Sequence, residues 1–138
     1  MPKLTAMLPI AALCLLLAGC SNHTATTTLN DQDNWTSTTT VGKITALTVI
    51  VPAKPNRNHL LVFLRDPNHK PINNASILGK ANSASANNSS AQLQATAIAP
   101  GAYRIISDLP GGQSTIDLTL NTPAQANTHL TLDVAIAR

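Results

Sequence analysis

The chain predicts an all-β fold, an antiparallel β-sandwich of about seven strands. Three observations carry that expectation. Beyond residue 43, short runs of β-branched and aliphatic residues alternate with turn residues at roughly eight- to twelve-residue intervals. The runs 113–120 and 129–136 alternate apolar and polar side chains with a period of two, as strands with one wetted face must. No helical pattern of useful length follows the N-terminal stretch, which argues against α/β architectures, whose parallel strands need crossover helices.

The strands follow in order. Ile44 to Val51 is β-branched and ends at Pro52; with Pro55 close behind, 52–58 reads as a connection. His59 to Arg65 is bulky and apolar on both parities, the pattern of a central strand covered on both sides. Asp66-Pro67-Asn68-His69-Lys70-Pro71 is turn chemistry. Ile72 to Lys80 places Ala75, Ile77 and Gly79 on one parity and forms the third strand. Ala81 to Ala91 is low-complexity and polar, and reads as an exposed loop. Gln92 to Ile98 is a weaker strand, and Pro100-Gly101 suits the centre of a type II turn. Tyr103 to Ser107 follows, then a second turn, Asp108-Leu109-Pro110-Gly111-Gly112. In the last two strands Ile116, Leu118, Leu120, Leu130, Leu132, Val134 and Ile136 face inward, while Thr115, Asp117, Thr119, His129, Thr131 and Asp133 face out. Seven such strands across residues 44–138 match an immunoglobulin-like domain without its disulfide.

Ahead of this domain lies a leader. Met1-Pro2-Lys3 supplies one positive charge, and Leu4 to Leu17 is apolar apart from Thr5 and Pro9. That run is about 14 residues, short of the roughly 20 needed to span a bilayer, so 1–19 reads as a cleaved signal peptide. Leu17-Ala18-Gly19-Cys20 resembles the lipobox of bacterial lipoproteins. The resemblance implies cleavage before Cys20, a thioether-linked diacylglycerol on its sulfur and an acylated amine. Several acyl chains anchor firmly where one binds marginally, so the membrane is an expected partner. Ser21 after the cysteine, in place of the Asp that retains enteric lipoproteins at the inner membrane, implies outer-membrane delivery facing the periplasm.

Residues 20–43 read as a flexible polar tether, because Ser21 to Thr40 has too few apolar residues to offset its ordering entropy. Trp35 stands out in it. Either the indole folds back to start the first strand, or it is the buried anchor of a short motif docking a partner protein in the envelope.

Composition excludes several functions. Removing the leader leaves about 119 residues, one domain plus a tail. Cys14 leaves with the signal and Cys20 is expected to be acylated, so no thiol remains for a disulfide, a metal or a nucleophile. The acids are Asp31, Asp33, Asp66, Asp108, Asp117 and Asp133, and there is no glutamate. Scattered lysines and arginines without clustering give no nucleic-acid footprint. The three aromatics, Trp35, Phe63 and Tyr103, offer little for a stacking platform. No Gly-x-Ser-x-Gly elbow, P-loop or dinucleotide fingerprint occurs, and no enzymatic activity or cofactor is expected. Metal binding is the only site chemistry in play. His23, His59, His69 and His129 lack mutual ligand spacing. His59 and His129 both start strands, and pairing of those strands could unite two imidazoles and an aspartate around Cu(II) or Zn(II).

Three segments carry a family resemblance covering about 80 residues, 59–138. Arg65-Asp66-Pro67-Asn68-His69-Lys70-Pro71-Ile72-Asn73-Asn74-Ala75 resembles a strand–turn–strand motif of bacterial immunoglobulin-like domains. Pro100-Gly101-Ala102-Tyr103-Arg104 resembles their Gly-x-Tyr strand start, and Leu109-Pro110-Gly111-Gly112 their Pro-Gly turn. Order and spacing resemble YtkA-like domains, relatives of the FixH proteins, and also carboxypeptidase regulatory-like domains. The resemblance implies a sandwich and, for YtkA and FixH relatives, copper handling. The Met- and His-rich segment of some relatives corresponds here to Ala81 to Ala91, which holds neither residue. Read on their own, Pro71, Gly101, Tyr103, Pro110 and Gly111 are structural: two prolines and two glycines set turns, and Tyr103 can pin a backbone group in a tyrosine corner. The functional expectation is a non-catalytic binding or scaffolding module in the envelope. Alternatives are a periplasmic copper accessory and an assembly subunit docking through its N-terminal tail.

Overall fold

Alternation decides the architecture. In the computed structural model, which describes residues 26–30, 34–84 and 90–137, every second side chain along the main strands points into one shared core. Ten strands form: β1 (Thr26–Asn30), β2 (Asn34–Val41), β3 (Ile44–Val51), β4 (Asn58–Arg65), β5 (Ser76–Ser83), β6 (Ser90–Gln94), β7 (Thr96–Ala99), β8 (Ala102–Ser107), β9 (Gly112–Asn121) and β10 (Thr128–Ile136). They build a six-stranded sheet, order β1-β2-β3-β4-β8-β7, and a four-stranded sheet, order β10-β9-β5-β6. All pairings are antiparallel, and no helix occurs among the described residues. The fold is an all-β antiparallel sandwich. Its core joins Ile50, Leu60, Val62, Leu64 and Ile105 of one sheet to Ile116, Leu118, Leu120, Leu132 and Val134 of the other.

The strand count exceeds the expected seven for two reasons. First, the stretch read as a tether, 20–43, contributes β1 and β2. Trp35, Ser37 and Thr39 of β2 are buried, and β2 packs across the sandwich against β10. Threonine-rich sequence has high strand propensity, and a partner strand supplies the hydrogen bonds that an isolated polar tail lacks. The inward hydroxyls made this strand look solvated. Second, the run 92–98 is two strands. β6 pairs with β5, and after Ala95 the chain crosses to pair as β7 with β8 in the other sheet. The Ala95 N–H still bonds the Ile77 carbonyl at 3.0 Å, so Ala95 is the corner. β7 carries a bulge between Ala97 and Ala99.

Two further boundaries move. β5 begins at Ser76 rather than Ile72, because 71–75 is held by other contacts described below. The polar segment 81–91 is an exposed loop only in part: 81–83 and 90–91 are paired and Ala81 is buried, while 85–89 lie outside the described residues.

β4 is central as expected, between β3 and β8. Its inward residues Leu60, Val62 and Leu64 are fully buried. Its outward residues His59, Leu61 and Phe63 are only half-buried, because no layer of the described chain covers that face.

Candidate functional site

The turn residues converge at one end of the sandwich. Gly101 has φ +66°, and a Cβ there would stand 2.6 Å from the Pro71 Cβ and 2.9 Å from the Leu64 carbonyl oxygen. Glycine is therefore required twice, for its conformation and for the close approach. The Gly101 N–H donates to Asn73 Oδ1 at 2.8 Å, and the Leu64 N–H donates to the Gly101 carbonyl at 2.8 Å. Tyr103 is 3% exposed; its hydroxyl donates to the Ile72 carbonyl at 2.8 Å and accepts from the Ala75 N–H at 3.0 Å. The Tyr103 hydroxyl thus pins backbone 28 and 31 residues away rather than the near backbone of a tyrosine corner, and it holds 72–75 out of strand pairing. Tyr103→Phe removes both bonds while keeping the ring. The expected loss is about 1–2 kcal/mol of unfolding free energy, read by urea titration.

This knot forms one wall of a cleft of about 230 Å³, lined by Lys43, Ile44, Asp66, Ile72, Asn73 and the β9–β10 loop from Thr122 to Gln125. Its polar groups are already employed in shaping loops. Asp66 Oδ1 accepts from the Asn68 and Lys70 N–H groups at 2.8 and 2.9 Å. Gln125 Oε1 accepts from the Lys43 N–H at 3.3 Å, and its backbone closes the loop onto Thr122. Ile44, Ile72, Pro123 and Ala124 supply the apolar lining. A cleft with this chemistry suits a small apolar group of a ligand or partner.

At the other end sits a group the sequence did not flag. Asn58 is fully buried and its side chain makes three bonds. Nδ2 donates to the carbonyls of Pro52 and Lys54 at 2.6 and 2.8 Å, and Oδ1 accepts from the Leu109 N–H at 2.8 Å. The neighbouring Asn56 N–H reaches the Leu109 carbonyl at 3.2 Å. Asn58 therefore locks the connection after β3 to the turn after β8, where Pro110 and Gly111 are half-buried and lead into β9. The positive φ in that turn belongs to Gly112, at 106°, the first residue of β9. An asparagine at a strand start carries no local signal for such a role; its partners are four, six and 51 residues away.

The histidine pair does not assemble. β4 and β10 belong to different sheets, so their strands never pair. His59 is on the outward parity of β4, opposite Val51 and Ile106. His129 is on the outward parity of β10, opposite Thr119, whose hydroxyl lies 3.4 Å from its Nδ1. The two imidazoles thus face away from each other across a sandwich whose sheets stand about 10 Å apart. A shared metal site between His59 and His129 is corrected on that ground. Asp117 and Asp133 are exposed as expected, and each accepts a cross-strand threonine hydroxyl: Thr131 at 2.8 Å and Thr115 at 3.2 Å.

Trp35 is 1% exposed, paired opposite Ile50 in the core. Of its two readings the indole takes the first, folding back as part of a strand; as a docking anchor it has no free surface to offer. The lipobox residues Leu17, Ala18, Gly19 and Cys20 lie outside the described residues.

No protein-family model, no curated protein and no solved structure matches this chain.

Proposed function

We propose that the chain is a lipid-anchored protein of the bacterial cell envelope whose β-sandwich is a non-catalytic binding or scaffolding module. The observation that carries this is Leu17-Ala18-Gly19-Cys20 closing a short apolar leader. The first strand begins at Thr26, so acyl groups on Cys20 would hold the sandwich within a few residues of the bilayer. One binding surface on offer is the end cleft, whose rim carboxylate and amides are committed to loop hydrogen bonds.

The test is the chemical state of residue 20. Mass spectrometry of the mature chain is expected to find an N-terminal Cys20 bearing a diacylglycerol and an acylated amine. Cys20→Ser is expected to remain uncleaved and to lose incorporation of labelled palmitate. An N-terminal peptide with a free thiol on Cys20 overturns the reading.

A further inference from the structure

The two outer faces of the sandwich differ in kind. On the six-stranded sheet, the register aligns three cross-strand rows on the outward parity. Leu47, Phe63 and Ala102 form one, Val49, Leu61 and Arg104 the second, and Val51, His59 and Ile106 the third, with Thr38 and Thr36 of β2 extending the first two toward the polar edge of the sheet. Ile106 is 55% exposed, and Leu47, Val49, Leu61 and Phe63 are half-buried. Arg65 and Arg104 put two cations on this face, and β2, β3, β4 and β8 contribute no carboxylate to it. The opposite face, on β5, β6, β9 and β10, is polar. It carries Asp117, Asp133, Lys80, several threonines and glutamines, with Leu78 its one large exposed apolar group among the described residues.

We propose that the outer face of the six-stranded sheet lies on the anionic membrane surface in which the acyl chains are anchored. This rests on the lipid-anchor reading and adds an orientation to it. Two observations choose a lipid surface over other occupants. The charge is complementary, because a cationic apolar face suits anionic headgroups above an acyl region, while Asp117 and Asp133 sit on the far side. The chain also delivers the face there. Thr26 opens β1, an edge strand of this same sheet, six residues after Cys20. Six residues reach at most about 20 Å, less than a small domain's width. An anchor that short raises the effective concentration of the face at the bilayer, so a contact too weak to bind from solution becomes populated.

The mature chain carries no thiol besides Cys20, so one introduced cysteine can be labelled specifically. The full acylated protein is placed in phosphatidylethanolamine–phosphatidylglycerol vesicles containing a spin-labelled lipid. A nitrobenzoxadiazole label at Ile106→Cys is expected to be quenched several-fold more than one at Gln92→Cys on the opposite face. Leu61→Cys serves as a second position should the first perturb the sheet. Adding Arg65→Glu and Arg104→Glu, or replacing the phosphatidylglycerol with phosphatidylcholine, should remove most of that difference. Equal quenching at the two faces in protein that floats with the vesicles overturns the orientation while leaving the anchor intact. Protein that neither floats nor carries the diacylglycerol mass overturns both. A label at Ile106→Cys shielded without lipid quenching, with two copies cross-linking through this face, assigns it to a second copy of the chain and overturns the membrane assignment.

Discussion

Trp35→Ala is expected to lower unfolding free energy by about 3–5 kcal/mol, the range for deleting a fully buried large aromatic. The indole is 1% exposed, sits between Ile50 on the neighbouring strand and the opposing sheet, and is the largest side chain in the core. Truncation leaves a cavity that β2 has little means to fill, since the next inward residues, Ser37 and Thr39, are short and hydroxylated and Val41 at the strand's end is already packed against the core. A domain of this size holds about 5–15 kcal/mol in total, so the loss is a large fraction of its stability. Urea or thermal unfolding followed by far-ultraviolet circular dichroism reads it. Trp35→Phe should recover part of the loss. A loss below about 1 kcal/mol would show that β2 is dispensable to the fold and return 34–41 to the status of a tail.

Asn58→Ala is expected to cost about 2–3 kcal/mol, because it removes three hydrogen bonds at once, one buried and two part-buried. The carbonyls of Pro52 and Lys54 and the N–H of Leu109 all lose their bond to Asn58, and Leu109 itself is 1% exposed. Asn58→Asp separates geometry from donor count. The carboxylate keeps the acceptor for Leu109 but offers no donor to the two carbonyls, and it adds a charge in a fully buried position. It should be at least as destabilising as alanine at neutral pH and recover as pH falls and the carboxyl protonates. The sign follows from burial, which favours the neutral acid in the folded state. Chemical denaturation midpoints across pH 4–8 for the three proteins would check this.

The end cleft and the apolar sheet face were not legible in the sequence for one physical reason. Both are made by residues far apart in the chain. Lys43, Asp66 and Gln125 meet only because three turns are stacked at one end of the sandwich. Phe63, Leu47 and Ala102 become one row only through strand register. The apolar outward parity of β4 was visible, but a two-sided apolar strand normally means cover on both sides. Here one side is left open, and that difference makes the face informative. The pairing of His59 with His129 failed for the complementary reason: strand starts say nothing about which sheet a strand joins.

Periodicity and turn chemistry by themselves determined most of the middle and end of the chain. The inward set of β9 and β10 follows from period-two burial and the turn at Gly101 from the conformation of one residue, whereas the groups that Gly101 and Tyr103 meet come from distant chain, those of Tyr103 28 and 31 residues away. Tertiary structure alone decided the beginning and the corners. The polar stretch around Trp35 becomes a strand only because β3 offers a partner and β10 a surface to pack on. The run 92–98 divides between sheets because its two halves pair with different neighbours, β5 and β8. Asn58 becomes the lock of one end because distant backbone groups arrive beside it. Local sequence specifies what a residue can do with its near neighbours; the long-range pairing of β-strands selects which of those possibilities is stabilised.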